Sequence, residues 1–368
     1  MSVKKRSVQY APILLLMLLF LLAGNAKAIA AAVSERLTLC LDTLIPSLFG
    51  CMAAANLLRE SGAGAQLGRH LRILSHLLHF SAECTGVFAV SQLAGYPVGA
   101  LLLRQASEAG WLPAKDAARL SAVCFGGGPA FLVGFAGAEL FGSPAAGWIM
   151  LAACILANCA AARLCRLRTA SASSSGCPAC RLSAAALTAA VSDTVRSLAQ
   201  ICGIVLCFGV LTRLAECLGA LRLLTTAGKA AGIPPQTVPA LFAAILDVTQ
   251  LRGLLCCGLP FHILLPLTAG LLSFGGICVQ LQCLALGVPE LSAGRLLLTR
   301  LLAACFTAAI TAAALPFLPA PDAAAVFAHE SAVSRTGSVL PALLILCTGF
   351  PLLTGRGGQE KGIAVRRF

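Results

Sequence analysis

Two ionisable side chains stand close together in a largely apolar passage. Asp247 and Arg252 fall five positions apart in Asp247-Val248-Thr249-Gln250-Leu251-Arg252-Gly253. A charge at the centre of a membrane costs about 2.5–3.5 kcal/mol on insertion scales, so an intramembrane pair of this kind is a functional feature by default. Asp247 is suited to carry a coupling proton or Na⁺, with Thr249 and Gln250 as oxygen ligands. A structural ion pair, or a hairpin tip already in water, remains open on these residues alone.

A second group of residues acts through its backbone. From Gly95 to Gly142 the chain reads Gly-Tyr-Pro-Val-Gly-Ala, a short polar passage, then Phe-Gly-Gly-Gly-Pro-Ala-Phe-Leu-Val-Gly-Phe-Ala-Gly. Glycine releases backbone and proline removes a donor. Within hydrocarbon, each freed N–H or C=O needs a partner inside the protein or in a water-filled cavity. A further glycine pair follows in Ser273-Phe274-Gly275-Gly276. The breaks at Gly95, Gly126, Asp247 and Gly275 are expected to converge near mid-membrane, offering half-helix N-termini and free carbonyls. The alternative for Gly126–Gly128 is a close-packing seam. Ser91, Gln92 and Asn158 are expected to bond helix to helix, and His262 to sit at an interface.

These residues need a membrane scaffold, and the composition supplies one. The 368 residues are 58% hydrophobic and 11% charged, against roughly 25% charged in ordinary soluble domains. Mean hydropathy is +0.90. An all-α polytopic membrane protein is expected, with the lipid bilayer as partner. The net charge of +13 is no nucleic-acid footprint. It gathers at Lys4, Lys5 and Arg6, at Arg163, Arg166, Arg168 and Arg181, and at Arg356, Lys361, Arg366 and Arg367. Short basic loops mark cytoplasmic faces, which places both termini in the cytoplasm. The eighteen cysteines lie mostly in apolar segments and read as small hydrophobes.

Along the chain, residues 13–22 form an N-terminal span or a signal segment, since Ala26-Lys27-Ala28 resembles a cleavage site. Residues 37–58 begin amphipathically. Residues 101–109 and the Trp111-Leu112-Pro113 turn suit a re-entrant hairpin, each arm being too short to cross. Residues 120–137 are an interrupted span and 141–162 a clean one. The Ser-rich linker holds a lone Cys177-Pro178-Ala179-Cys180, read as plain loop. Residues 182–198 are again amphipathic and 200–214 apolar. Residues 295–315 are a span, and 339–353 a last short one.

The two halves repeat one order of parts. The interval from Ser47 to Gly95 nearly equals that from Gln200 to Asp247, and Gly95 to Gly126 nearly equals Asp247 to Gly275. Interrupted segments at corresponding places are the best sequence pointer to a transporter site. If each half holds an odd number of crossings, the repeats are inverted. The divisions are 1–36, an N-terminal span; 37–165, the first repeat; 166–182, a polar cytoplasmic linker; 183–318, the second repeat; and 319–368, a last span with a basic tail.

Pro46-Ser47-Leu48-Phe49, Gly95-Tyr96-Pro97-Val98-Gly99-Ala100, Gly128-Pro129-Ala130-Phe131, Asp247-Val248-Thr249 and Ser273-Phe274-Gly275-Gly276 occur in one order. Together they resemble the sporulation integral membrane protein family YlbJ (SpoVV), which has two nucleoside-recognition Gate-type repeats. The resemblance spans residues 37–318. It implies a fold similar to concentrative nucleoside transporters, with re-entrant helical hairpins and broken helices. It further implies a bacterial cytoplasmic or outer forespore membrane, and transport of dipicolinic acid during sporulation. Two positions depart from the family pattern. Leu101 stands where a basic residue is usual, and Asp247 where Glu is typical.

Dipicolinate is a planar dianion, so its site needs cationic or N–H-rich groups. The expected substrate-binding residues are Gly95, Tyr96, Pro97, Gly99, Gly126, Gly127, Gly128, Pro129, Asp247, Thr249, Arg252, Ser273, Gly275 and Gly276. Arg252 would clamp a carboxylate, and Tyr96, Phe125 and Phe274 would stack on the ring. Alternatives are a nucleoside or other carboxylate as cargo, or a non-transporting scaffold for spore-envelope assembly. No H-E-x-x-H, P-loop, G-x-S-x-G or paired CxxC pattern is present, so neither an enzyme nor a resident metal or cofactor is expected. A homo-oligomer stays open.

Overall fold

The computed structural model describes residues 3–318 except 62, 109, 111, 168, 170–182 and 231. The CxxC, Trp111, the last short span and the basic tail lie outside the described residues. Among the described residues the protein is all-helical. The first part runs α1 (Val3–Gly24), α2 (Ala26–Leu39), a π-helical turn Cys40–Leu44 and α3 (Ile45–Glu60). Short helices α4 (Ala63–His70), α5 (Arg72–Leu78), α6 (Ala82–Ala94), α7 (Val98–Glu108) and α8 (Ala114–Ser121) follow. A π-helical segment, Ala130–Leu140, then leads to α9 (Pro144–Leu164).

The second part opens with α10 (Ala184–Cys217), α11 (Ala220–Ala230) and α12 (Thr237–Leu246). A 3₁₀ turn, Val248–Leu251, precedes α13 (Arg252–Leu255), α14 (Phe261–Phe274), α15 (Gly276–Ala285) and α16 (Ala293–Ala314).

Serine opens several of these helices. Ser81, Ser143, Ser183 and Ser292 accept from the backbone N–H of Cys84, Ala146, Ala186 and Arg295 at 3.1–3.3 Å. Each satisfies one of the donors that a helix start leaves free. Gly275 closes α14 in the left-handed region (φ +79°), with its N–H bonded to the Leu271 carbonyl at 2.9 Å, as a glycine cap does.

Among the described residues four stretches are long and apolar enough to cross a membrane: Pro144–Leu164, Ala184–Cys217, Phe261–Ala285 and Ala293–Phe317. Two sharply bent pairs, Leu15–Gly24 with Ala26–Leu44 (88°) and Arg72–Leu78 with Ala82–Ala94 (98°), raise the number to six if each is one span. Residues 184–198 and 200–214, parts of an expected amphipathic segment (182–198) and a separate apolar run (200–214), lie in the single helix α10. Its 34 residues reach about 50 Å at 1.5 Å per residue, well beyond the roughly 30 Å of hydrocarbon.

α16 packs between α14 and α9, and α10 packs on α2 and α3. The α14–α15 stretch is the interior one, 78% buried over its most apolar window against 33% for α16 and 39% for α10. The outer helices present Leu187, Leu211, Leu298 and Leu301. An apolar surface of that kind suits a lipid bilayer. The described cysteines are free thiols.

Candidate functional site

The two breaks of the first half touch through their backbones. α6 ends at Gly95 (φ +80°), the Tyr96–Pro97 peptide is cis, and α7 begins at Val98. Gly128 has φ +68°, and a Cβ there would lie 3.0 Å from the Gly95 nitrogen and 3.1 Å from its Cα. Only glycine meets both demands, since an L-residue is strained at that φ and the obstacle is main chain. Gly99 packs on the Cys124 carbonyl and Gly126 on the Gln92 side chain.

Tyr96 carries this crossing into the second half. Its hydroxyl donates to the Leu272 carbonyl oxygen at 2.7 Å, in the last turn of α14, where carbonyls lack helical partners. Its ring lies 5.0 Å from Phe125 and 6.3 Å from Phe131, centroid to centroid. A Cβ on Gly275 would sit 2.6 Å from the Phe125 ring, and one on Gly276 3.1 Å from the Val248 nitrogen. The breaks near Gly95, Gly126, Asp247 and Gly275 therefore form one continuous set of contacts.

A cavity of about 40 Å³ lies at this junction. Tyr96 and Gly127 line it from the first half, and Asp247, Thr249 and Gln282 from the second, with Leu44 and Ile201 among its apolar walls. A water needs about 10–15 Å³ on this measure, so the cavity has room for an ion and a few waters and falls well short of the roughly 300–1,000 Å³ of small-molecule pockets. Asp247 is 1% exposed. Its two carboxylate oxygens accept from the Thr249 N–H at 3.0 Å and the Thr249 hydroxyl at 2.8 Å. The acid thereby caps the 3₁₀ turn that follows it. Gln282 is buried, and its amide nitrogen has the Cys278 sulfur 3.6 Å away.

Two expected site residues lie elsewhere. Arg252 does not face Asp247. Its side chain is 52% exposed, sits 3.4 Å from Glu139 Oε2 and lies 6.0 Å from the Phe135 ring centroid. Residues five apart on an α-helix are already about 140° round from each other, and the 3₁₀ turn leaves Asp247 inside while Arg252 begins α13 outside. Ser273 is buried, but it is absent from the cavity wall and its hydroxyl has no partner among the described residues. Gln250, expected as an oxygen ligand, turns to α10 and donates to the Thr212 hydroxyl at 3.2 Å.

Of the remaining expected residues, Tyr96, Gly127, Asp247 and Thr249 line the cavity. Gly95, Pro97, Gly99, Gly126, Gly128, Pro129, Gly275 and Gly276 belong to the breaks around it and are absent from its lining.

Sequence reasoning missed Arg300. This residue of α16 is fully buried. Its Nη1 donates to the Phe125 carbonyl at 3.2 Å and the Ser273 carbonyl at 3.5 Å, and its Nη2 to Asn158 Oδ1 at 2.7 Å. The guanidinium also lies 4.7 Å from the Phe125 ring centroid. The signal was available, since an arginine inside an apolar helix is a functional hypothesis in itself. Asn158 also donates to Gln92 Oε1 and to the Phe125 carbonyl, each at 2.8 Å, and Gln92 donates to the Val123 carbonyl at 3.1 Å. Gln92 and Asn158 thus bond helix to helix as expected, and they do so around carbonyls of the non-helical stretch.

Comparison of the chain with protein-family models, curated proteins and solved structures returned no match.

Proposed function

We propose that the protein is a secondary transporter for a small anionic metabolite, and that Asp247 binds the coupling cation, H⁺ or Na⁺. The observation that carries this reading is the shared cavity. Broken segments from two parts of the chain meet around it, and it contains a buried acid with room for an ion beside it. Broken helices meeting at one polar point are the architecture of transporter sites, where rocking of one bundle against another alternates access. In this reading, residues 37–165 and 183–318 are two inverted repeats of the concentrative nucleoside transporter kind. The motif resemblance to the YlbJ family supports dipicolinate as cargo and the outer forespore membrane as location. The cavity would have to widen to admit that cargo.

Reconstituted protein should accumulate labelled dipicolinate in lipid vesicles when an H⁺ or Na⁺ gradient is imposed. Uptake no faster than in protein-free vesicles, under each gradient and each membrane potential, would refute the reading.

One observation favours a second cargo. Among the described residues the cavity wall carries an acid, an amide, a hydroxyl and the Tyr96 ring, and no Lys or Arg. Such a lining suits a nucleoside, which needs hydrogen bonds and stacking rather than charge. Competition of uridine and adenosine against dipicolinate uptake separates the two cargoes.

A further inference from the structure

We infer that Arg300 is a receptor for the carboxylate of a planar anion, covered by the Phe125 ring until the glycine-rich stretch moves. The inference rests on the transport reading above and names the residue that would select its anion.

Unpaired buried charge is the first observation. Arg300 is fully buried, yet every described partner is neutral: two carbonyls, one amide oxygen and one aromatic face. No described carboxylate pairs with it. Removing a cation from water is costly, and buried charges are as a rule paired. A brace between two backbone breaks requires no charge. Asn158 and Gln92 already bind the same stretch with neutral amides. The guanidinium therefore exceeds what bracing demands.

Its donor pattern is the second observation. Nη1 serves both carbonyls and Nη2 serves Asn158, while Nε is buried without a partner among the described residues. Nε and Nη2 form one edge of the planar fork. That edge holds a carboxylate through two parallel bonds, a geometry a lysine cannot reproduce.

Access is the third. The Phe125 ring over Arg300 also packs on Tyr96, which lines the cavity. Phe125 lies in residues 122–127, outside any helix, and is followed by Gly126, Gly127 and Gly128. Displacing the ring melts no helix. It would join the guanidinium to the cavity and enlarge a space that is now too small for the cargo.

The test uses the full chain in lipid vesicles and two ligands of one shape, dipicolinate and its uncharged diamide. Wild type should bind the dicarboxylate at least about tenfold tighter than the diamide, a difference of about 1.4 kcal/mol. Arg300→Lys should weaken dicarboxylate binding about tenfold while leaving the diamide unchanged, and Arg300→Gln should abolish the preference. Equal losses for both ligands, or no loss for either, would assign Arg300 to bracing alone and overturn the inference. If the variants fail to fold, an arginine-directed dicarbonyl reagent on wild type decides, with labelled peptides located by mass spectrometry. Dipicolinate or benzoate should protect Arg300 and not the exposed Arg252. Failure of both anions to protect Arg300, or no labelling of Arg300 at all, overturns the inference. Full dipicolinate uptake by Arg300→Gln would sink the inference and spare the transport reading. Anion protection of Arg300 without uptake would do the reverse.

Discussion

The Tyr96 hydroxyl lies 2.7 Å from the Leu272 carbonyl oxygen, joining the first break in the chain to the helix that ends at the last one. Tyr96→Phe keeps the ring against Phe125 and Phe131 and deletes that bond alone. Side-chain hydrogen bonds between membrane helices average about 0.6 kcal/mol and reach about 1.7. Tyr96→Phe should therefore unfold in detergent at a slightly lower temperature while dipicolinate uptake falls several-fold, because the wall it holds is shared by both halves. Unchanged uptake would show that the bond is not part of the working site.

Three glycines of like backbone and unlike surroundings separate strain from crowding. Gly258 has φ +66°, and a Cβ there would meet nothing within 4 Å. Gly128 and Gly275 have φ +68° and +79°, and a Cβ on them would meet the Gly95 main chain and the Phe125 ring. Alanine in the left-handed region costs roughly 1–2 kcal/mol by itself. Gly258→Ala should show that loss in thermal unfolding and still transport. Gly128→Ala should lose more, because main chain has nowhere to move, and should not transport. Gly275→Ala should fall between them if the Phe125 ring gives way.

Charge changes at the two ends of one turn should have opposite consequences. Arg252→Ala removes an exposed pair with Glu139 and should cost about 0–1 kcal/mol, with uptake retained. Asp247→Asn keeps the shape and removes the charge. It should insert normally, yet uptake should no longer respond to the driving ion gradient. Gradient-dependent uptake by Asp247→Asn would remove Asp247 from the coupling role.

Asn158 and Arg300 should not be additive. Asn158→Leu removes an acceptor from a buried cation and a donor from the Phe125 carbonyl, and an unsatisfied buried group costs about 1–3 kcal/mol, more when charged. With Arg300→Gln already in place, the same change should cost less. A double-mutant cycle on unfolding in detergent measures the difference, and additivity within about 0.5 kcal/mol would show that the two side chains are independent.

The residues that broke the helices were readable because glycine and proline act on their own backbone. Gly95, Gly128 and Gly275 sit in breaks at positive φ, and Pro97 and Pro129 beside them lack a donor. Gln92 and Asn158 were readable as bonders because polar side chains in apolar helices seek one another. The single helix α10 was not, because Asp193, Arg196 and Gln200 interrupt its hydropathy without interrupting its backbone. The Asp247–Arg252 pairing failed for a related reason. Closeness along the chain suggested a pair, whereas a single 3₁₀ turn sent the two side chains to opposite environments.

By itself, then, the sequence determined that the chain is helical, that its apolar stretches suit a bilayer, and that helices break near Gly95, Gly126, Asp247 and Gly275. Those properties follow from side-chain hydropathy and from the backbone limits of single residues. Only the tertiary structure decided what the breaks face. The partners of Arg300 and Tyr96 are mainly carbonyl oxygens of Phe125, Ser273 and Leu272. Every residue has such an oxygen, so its role leaves no mark in residue type, and distant packing alone selects which ones a buried donor will meet.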